Sequence, residues 1–98
     1  MSYAEIDYPV SVLDFIFETE KMSESEFVVF AETIKLKLKK LPTEKGNELY
    51  YLGCEIEHLI DFIHKVCYYL TYRKTPGGLQ DYDEPLYQKV IARYPLKD

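Results

Sequence analysis

KMSESEFVVFAETIKLKLKKLP, Lys21–Pro42, decides the fold. Within it, Ser23-Glu24-Ser25-Glu26 has the form of a capping box. The Ser23 hydroxyl is placed to accept from the Glu26 amide, and the Glu26 carboxylate to reach back to the Ser23 amide. Met22 and Phe27 occupy the two positions of a hydrophobic staple, and Glu24 and Glu26 lie at the positive end of the helix dipole. Apolar residues then recur at 27, 30, 31, 34, 38 and 41, steps of three and four that hold one helical face until Pro42 stops the run. Leu36 alternates with lysines, a locally strand-like pattern, but the longer period is helical.

Downstream, Pro42–Asn47 reads as a turn centred on Gly46-Asn47. A long helix is then expected from Asn47 to Tyr72. Its face is Leu49, Leu52, Ile56, Leu59, Ile60, Ile63, Cys67 and Leu70, with Gly53 as a weak spot that permits a bend or close packing. Thr75-Pro76-Gly77-Gly78 breaks the chain, and a loop runs on to Asp83. Asp83-Glu84-Pro85 opens a last helix as an acidic cap followed by proline. Its stripe is Leu86, Tyr87, Val90, Ile91 and Tyr94, and Pro95 ends it.

Upstream, residues 1–9 show no period. Val10–Lys21 is ambiguous: Val12, Leu13, Ile16 and Phe17 share a helical face behind Ser11 as N-cap, yet Val, Ile and Phe also suit a buried strand. Helix is favoured because no later segment offers a partner strand. The pattern as a whole predicts an all-α chain, a compact antiparallel four-helix bundle forming one domain over residues 1–98.

The chain has 98 residues, enough for one core, with 12 Lys and Arg against 17 Asp and Glu for a net charge of −5. That balance opposes nucleic-acid binding and docking on anionic lipid. No apolar run approaches a membrane span and the first residues lack a secretion-signal pattern, so a cytoplasmic protein is expected. Cys54 and Cys67, 13 positions apart on one helix, would be about 20 Å apart and read as small hydrophobes in a reducing compartment. Ten Tyr, five Phe and no Trp suit half-buried rims or an interface.

Charge comes in blocks. Residues 1–34 hold eight acids and one Lys, 35–40 four Lys, and 44–61 five acids and one Lys. Such blocks are commonly solvated faces, and they also suit a basic partner. The lysine run KLKLKK lacks interleaved aromatics and sits where the helix dipole already favours cations. His58 and His64 point about 240° apart on a helix, while Cys54 and His58 share a face without a second ligand cluster, so no metal is expected. No nucleophile elbow, P-loop or zinc-protease motif is present, and no catalytic residue or cofactor is assigned.

Three stretches resemble the colicin D-type immunity proteins and the similar immunity proteins of contact-dependent inhibition systems. They are LDFIFETEKMSESEF (Leu13–Phe27), LGCEIE (Leu52–Glu57) and DYDEPLYQKV (Asp81–Val90), in matching order. A longer third helix and the TPGG loop depart from the family. The resemblance implies a small acidic helical protein that covers the basic active-site cleft of a cognate tRNA-cleaving toxin nuclease domain. Only the acidic character of the matched motifs carries over. The candidate partner-binding residues are Glu57, Asp61, Asp81, Tyr82, Asp83 and Glu84, the first two sharing a helix face. A monomer or weak homodimer is expected. The rival readings are a helical adaptor or secretion-chaperone-like module using an apolar or Tyr groove, and a self-associating module.

Overall fold

Extended backbone at Ser11 (φ −133°, ψ 158°) lets its hydroxyl accept from the Asp14 amide, which opens the first helix, α1, Val12–Glu18. The computed structural model describes residues 6–47 and 49–95. Glu5 and Glu48 of the acidic blocks, and the ends of the expected 1–98 domain, lie outside the described residues. The ambiguity over Val10–Lys21 is resolved as helix, and its inner face keeps Val12 and Ile16 of the expected four but not Leu13 and Phe17. Val12, Phe15 and Ile16 are buried, whereas Leu13 and Phe17 are 67% and 76% exposed. Both sets have helical spacing. The fully buried Thr19 selects between them, because its hydroxyl donates to the Phe15 carbonyl at 2.8 Å and so loses no hydrogen bond on burial.

The capping box forms as read. The Glu26 amide donates to Ser23 Oγ at 3.3 Å and the Ser23 amide to Glu26 Oε1 at 3.1 Å, opening α2, Glu24–Lys39. Hydrogen bonding to Ser23 holds the Glu26 carboxyl below its ordinary pKa. Phe27, Ala31, Ile34 and Leu38 are buried, and Leu41 beyond the helix joins them. Leu36 points outward, as the helical period requires.

Gly46 sits at φ 99°, a conformation that favours glycine, and turns the chain. Asn47 Oδ1 then accepts from the Leu49 amide at 2.9 Å. A 3₁₀ turn over Tyr50–Leu52 follows, and α3 runs Gly53–Tyr72. The expected start at Asn47 is therefore corrected. The three-residue step from Leu49 to Leu52 fits 3₁₀ as well as α, and the Asn47 side chain completes a turn there. Gly53 opens α3 instead of bending it. A Cβ at Gly53 would stand 3.8 Å from Thr43 Cβ, an ordinary contact, so no close approach requires the glycine.

Arg73 ends α3 in the left-handed region (φ 56°, ψ 35°), its amide donating to the Tyr69 carbonyl. A non-glycine residue there is held from outside. Its guanidinium donates to Glu24 Oε1 at 2.8 Å and to the Tyr94 carbonyl at 3.3 Å. The loop 73–83 leads to α4, Glu84–Ile91, with Pro85 in its first turn. Asp83 takes the N-cap position, but its side chain makes no cap bond, against expectation.

Among the described residues there are four α-helices and no strand. α3 packs against α1, α2 and α4 and forms the centre of one core. Phe15, Phe27, Phe62 and Tyr87 are its largest fully buried side chains, with Phe15 and Phe27 edge to face at 5.5 Å. The radius of gyration, 13.9 Å, is close to the ~13 Å of a compact domain of this size. No helix of the described residues is long and apolar enough to cross a membrane.

Candidate functional site

The candidate acids divide between α3 and the loop that returns to it. The four-residue step from Glu57 to Asp61 does place both on one side of α3, and both are exposed. They do not stand alone. With Ile60 and His64 they line a cleft of about 320 Å³ whose other wall is Lys35 and Lys39 of α2. Asp61 Oδ2 also accepts from Lys65 Nζ at 2.7 Å, and the same ammonium donates to the Gly78 carbonyl at 2.9 Å. The side of α3 that carries these two candidate acids is therefore a mixed-charge cleft, with Glu57 as its carboxylate without an ion pair among the described residues.

The second group sits at the start of α4. Asp81 and Glu84 are exposed, Glu84 accepting from the Gln88 amide nitrogen at 3.0 Å. Tyr82 is 67% exposed, and its ring meets the His58 ring edge to face at 5.6 Å. Asp83 departs from the expectation of a solvent-facing acid. It is 2% exposed, and its Oδ1 lies 2.7 Å from His58 Nε2. His58, read from sequence as a surface residue, is half-buried and serves as an anchor for the loop on α3. Nothing in the local sequence pairs positions 58 and 83; only the fold brings them together.

Sequence reasoning also missed a patch on α1. Leu13 and Phe17 stand outward beside Asp14 and Glu18, all four exposed. The available signal was that apolar residues at 12, 13, 15, 16 and 17 surround the helix, too many for one buried face.

A cavity of about 430 Å³ is lined by Ser23, Glu24, Arg73, Arg93 and Tyr94 among others. Its arginines are committed: Arg73 as above, and Arg93 through Nη1 to Thr19 Oγ1 at 3.1 Å and Nη2 to the Ile16 carbonyl at 3.0 Å. The Tyr94 hydroxyl donates to the Met22 carbonyl at 2.9 Å. Burial, with Glu32 nearby, pushes the Cys67 thiol up to about 11, the reverse of what a nucleophilic cysteine needs. Among the described residues no group of three or more His, Cys, Asp or Glu is arranged to hold a metal ion.

No protein-family model, curated protein or solved structure matches this chain.

Proposed function

We propose that this chain is an immunity protein. It binds the basic active-site cleft of a cognate, tRNase-like toxin nuclease domain with carboxylates of α3 and the α4 entrance, and so keeps RNA out. The observation that carries this reading is the distribution of unneutralised charge. Glu57 and Asp81 are exposed and have no ion pair among the described residues, and Glu84 is bonded only to a neutral amide. Exposed Tyr82 lies between Asp81 and the His58–Asp83 anchor, an aromatic contact held in place from behind. In this reading the four helices form an antiparallel bundle, and the protein acts in the cytoplasm as a monomer or weak homodimer without catalytic activity, cofactor or metal.

Electrostatic steering gives fast capture of a basic nuclease. Cells expressing the chain are expected to survive a toxin nuclease encoded beside it. Asp81→Lys with Glu84→Lys, and separately Glu57→Lys, are expected to slow association about tenfold at low salt and to reduce protection. Replacing Lys35, Lys37, Lys39 and Lys40 by Gln is expected to leave affinity within about threefold. Unchanged association rates and intact protection in the charge-reversed proteins reject the acidic-mimic mechanism.

Exposed Leu13 and Phe17 favour a second reading, a helical adaptor that uses apolar contact. Binding to a partner that is insensitive to salt but lost on Phe17→Ser selects it.

A further inference from the structure

α1 has seven residues and apolar side chains on two sides. Val12, Phe15 and Ile16 fill the core, while Leu13 and Phe17, one turn apart, are 67% and 76% exposed. A helix that is apolar all round is ordinarily covered all round. Here one side has no cover among the described residues.

The ridge has charged flanks of unequal character. On one side, Phe17 forms the wall of a cleft of about 250 Å³ that it shares with Asp7, Asp14 and Glu18. No cation lines this cleft, and none of the three carboxylates has an ion pair among the described residues. Lys37 stands over the neighbouring Tyr8 ring, 5.3 Å from its centroid, outside the lining. On the other side Leu13, Ile16, Phe17 and Leu86 line a second cleft of about 200 Å³, bounded by Glu20, Lys89 and Arg93. Arg93 is spent on Thr19 and the Ile16 carbonyl. Asp14 and Glu18 follow Leu13 and Phe17 by one position each, so an acidic stripe runs parallel to the apolar one.

We propose that this face of α1 is a docking surface for a cationic amphipathic segment of a partner protein. Apolar side chains of the segment straddle Phe17 and Leu13, and its Lys or Arg residues pair with Asp7, Asp14 and Glu18. Charge complementarity selects that occupant. A neutral apolar segment would leave three carboxylates desolvated without partners, and an acidic one would be repelled. A second copy of this chain would bring the same three acids against themselves. The surface is distinct from the α3 and α4 acids, and the inference does not depend on the immunity reading.

The probe is a short peptide of Leu and Lys at helical spacing, with its Leu and Glu counterpart as control, titrated into the full chain. Amide NMR shifts are expected to move around residues 13–18 with the cationic peptide and not with the acidic one. Leu13→Ser with Phe17→Ser is expected to weaken binding about tenfold or more. Asp7→Asn, Asp14→Asn and Glu18→Gln together are expected to do the same without touching the apolar pair, so loss of fold in one variant leaves the other as the test. Glu44→Gln with Glu55→Gln, exposed acids that line neither cleft of α1, is expected to change binding by less than about threefold. Equal weakening by that control pair, or none by the Ser pair, overturns the proposal. So does a dimer of the full chain that Phe17→Ser dissolves, or contacts between residues 2–5 and the Phe17 ring in the free protein.

Discussion

His58 and Asp83, 25 positions apart, meet at 2.7 Å, with the carboxylate almost wholly enclosed and the imidazole one-third exposed. With the Lys65 bond to the Gly78 carbonyl, this contact fastens the loop 73–83 along α3 at two points.

The contact predicts unequal outcomes for neighbouring acids. Asp83→Lys places an unpaired cation in a closed site and is expected to cost about 3–5 kcal/mol, whereas exposed Asp81→Lys stays within about 0.5 kcal/mol. Urea denaturation measures both. Limited proteolysis is expected to cut the loop faster in Asp83→Lys alone. Equal stabilities would mean that the contact contributes nothing to the fold.

Arg93 and Thr19 are expected to behave as one unit. Thr19→Val removes the hydroxyl that accepts from Arg93, and Arg93→Met removes two donors; each is expected to cost about 1–3 kcal/mol. The double variant should cost less than the sum of the two, a coupling that a double-mutant cycle reads. Arg93→Lys is expected to recover only part, since one ammonium does not reproduce a fork aimed at two oxygens.

Tyr87 is fully buried, yet its hydroxyl has no hydrogen-bond partner among the described residues. Tyr87→Phe is therefore expected to be neutral or stabilising by up to about 2 kcal/mol. Burial, with smaller contributions from Tyr69 and Glu84, pushes the phenol from 10.0 up to about 12. The folded state thus keeps a proton that the unfolded state releases. Stability from this group is intact below pH 10 and falls as pH rises toward 12. Tyr87→Phe is expected to shallow that alkaline loss in denaturation curves, leaving a remainder from Tyr8 and Tyr94, which are also raised.

The two cysteines are expected to separate cleanly by reactivity. Cys54 is exposed, while Cys67 is partly buried with its thiol raised to about 11. At pH near 8, a thiol reagent should modify Cys54 first and Cys67 only slowly, as peptide mapping by mass spectrometry would show. Denaturant should equalise them.

Local chemistry was legible; choices among equivalent faces were not. Ser23 and Glu26 carry their own hydrogen-bonding instructions within four residues, so the start of α2 could be read directly. Gly46 and Pro85 likewise mark a turn and a helix opening by backbone geometry alone. On α1 the apolar residues fit two faces, and the deciding group is Thr19, whose hydroxyl donates to the Phe15 carbonyl one turn back and accepts from Arg93, a contact formed only in the fold. Asp83 shows the same limit in the candidate site. Its position before Glu84-Pro85 fits a helix cap, but His58 offers it a stronger partner from another helix. Charge counting put acids on α3 without deciding which of its faces is free, and gave no sign of Lys35 and Lys39 across the cleft from them.

Arg93 and Tyr94 are among the last described residues to be synthesised, and they bind Ile16, Thr19 and Met22, which are among the first. On the ribosome, the junction between α1 and α2 must therefore wait, open, until these two residues clear the exit tunnel. A nascent chain stalled before Arg93 is expected to be cut by protease between residues 16 and 24, and one extended well past Tyr94 to resist. The order of synthesis thus makes closure of the α1–α2 junction depend on residues made 72 to 77 positions later.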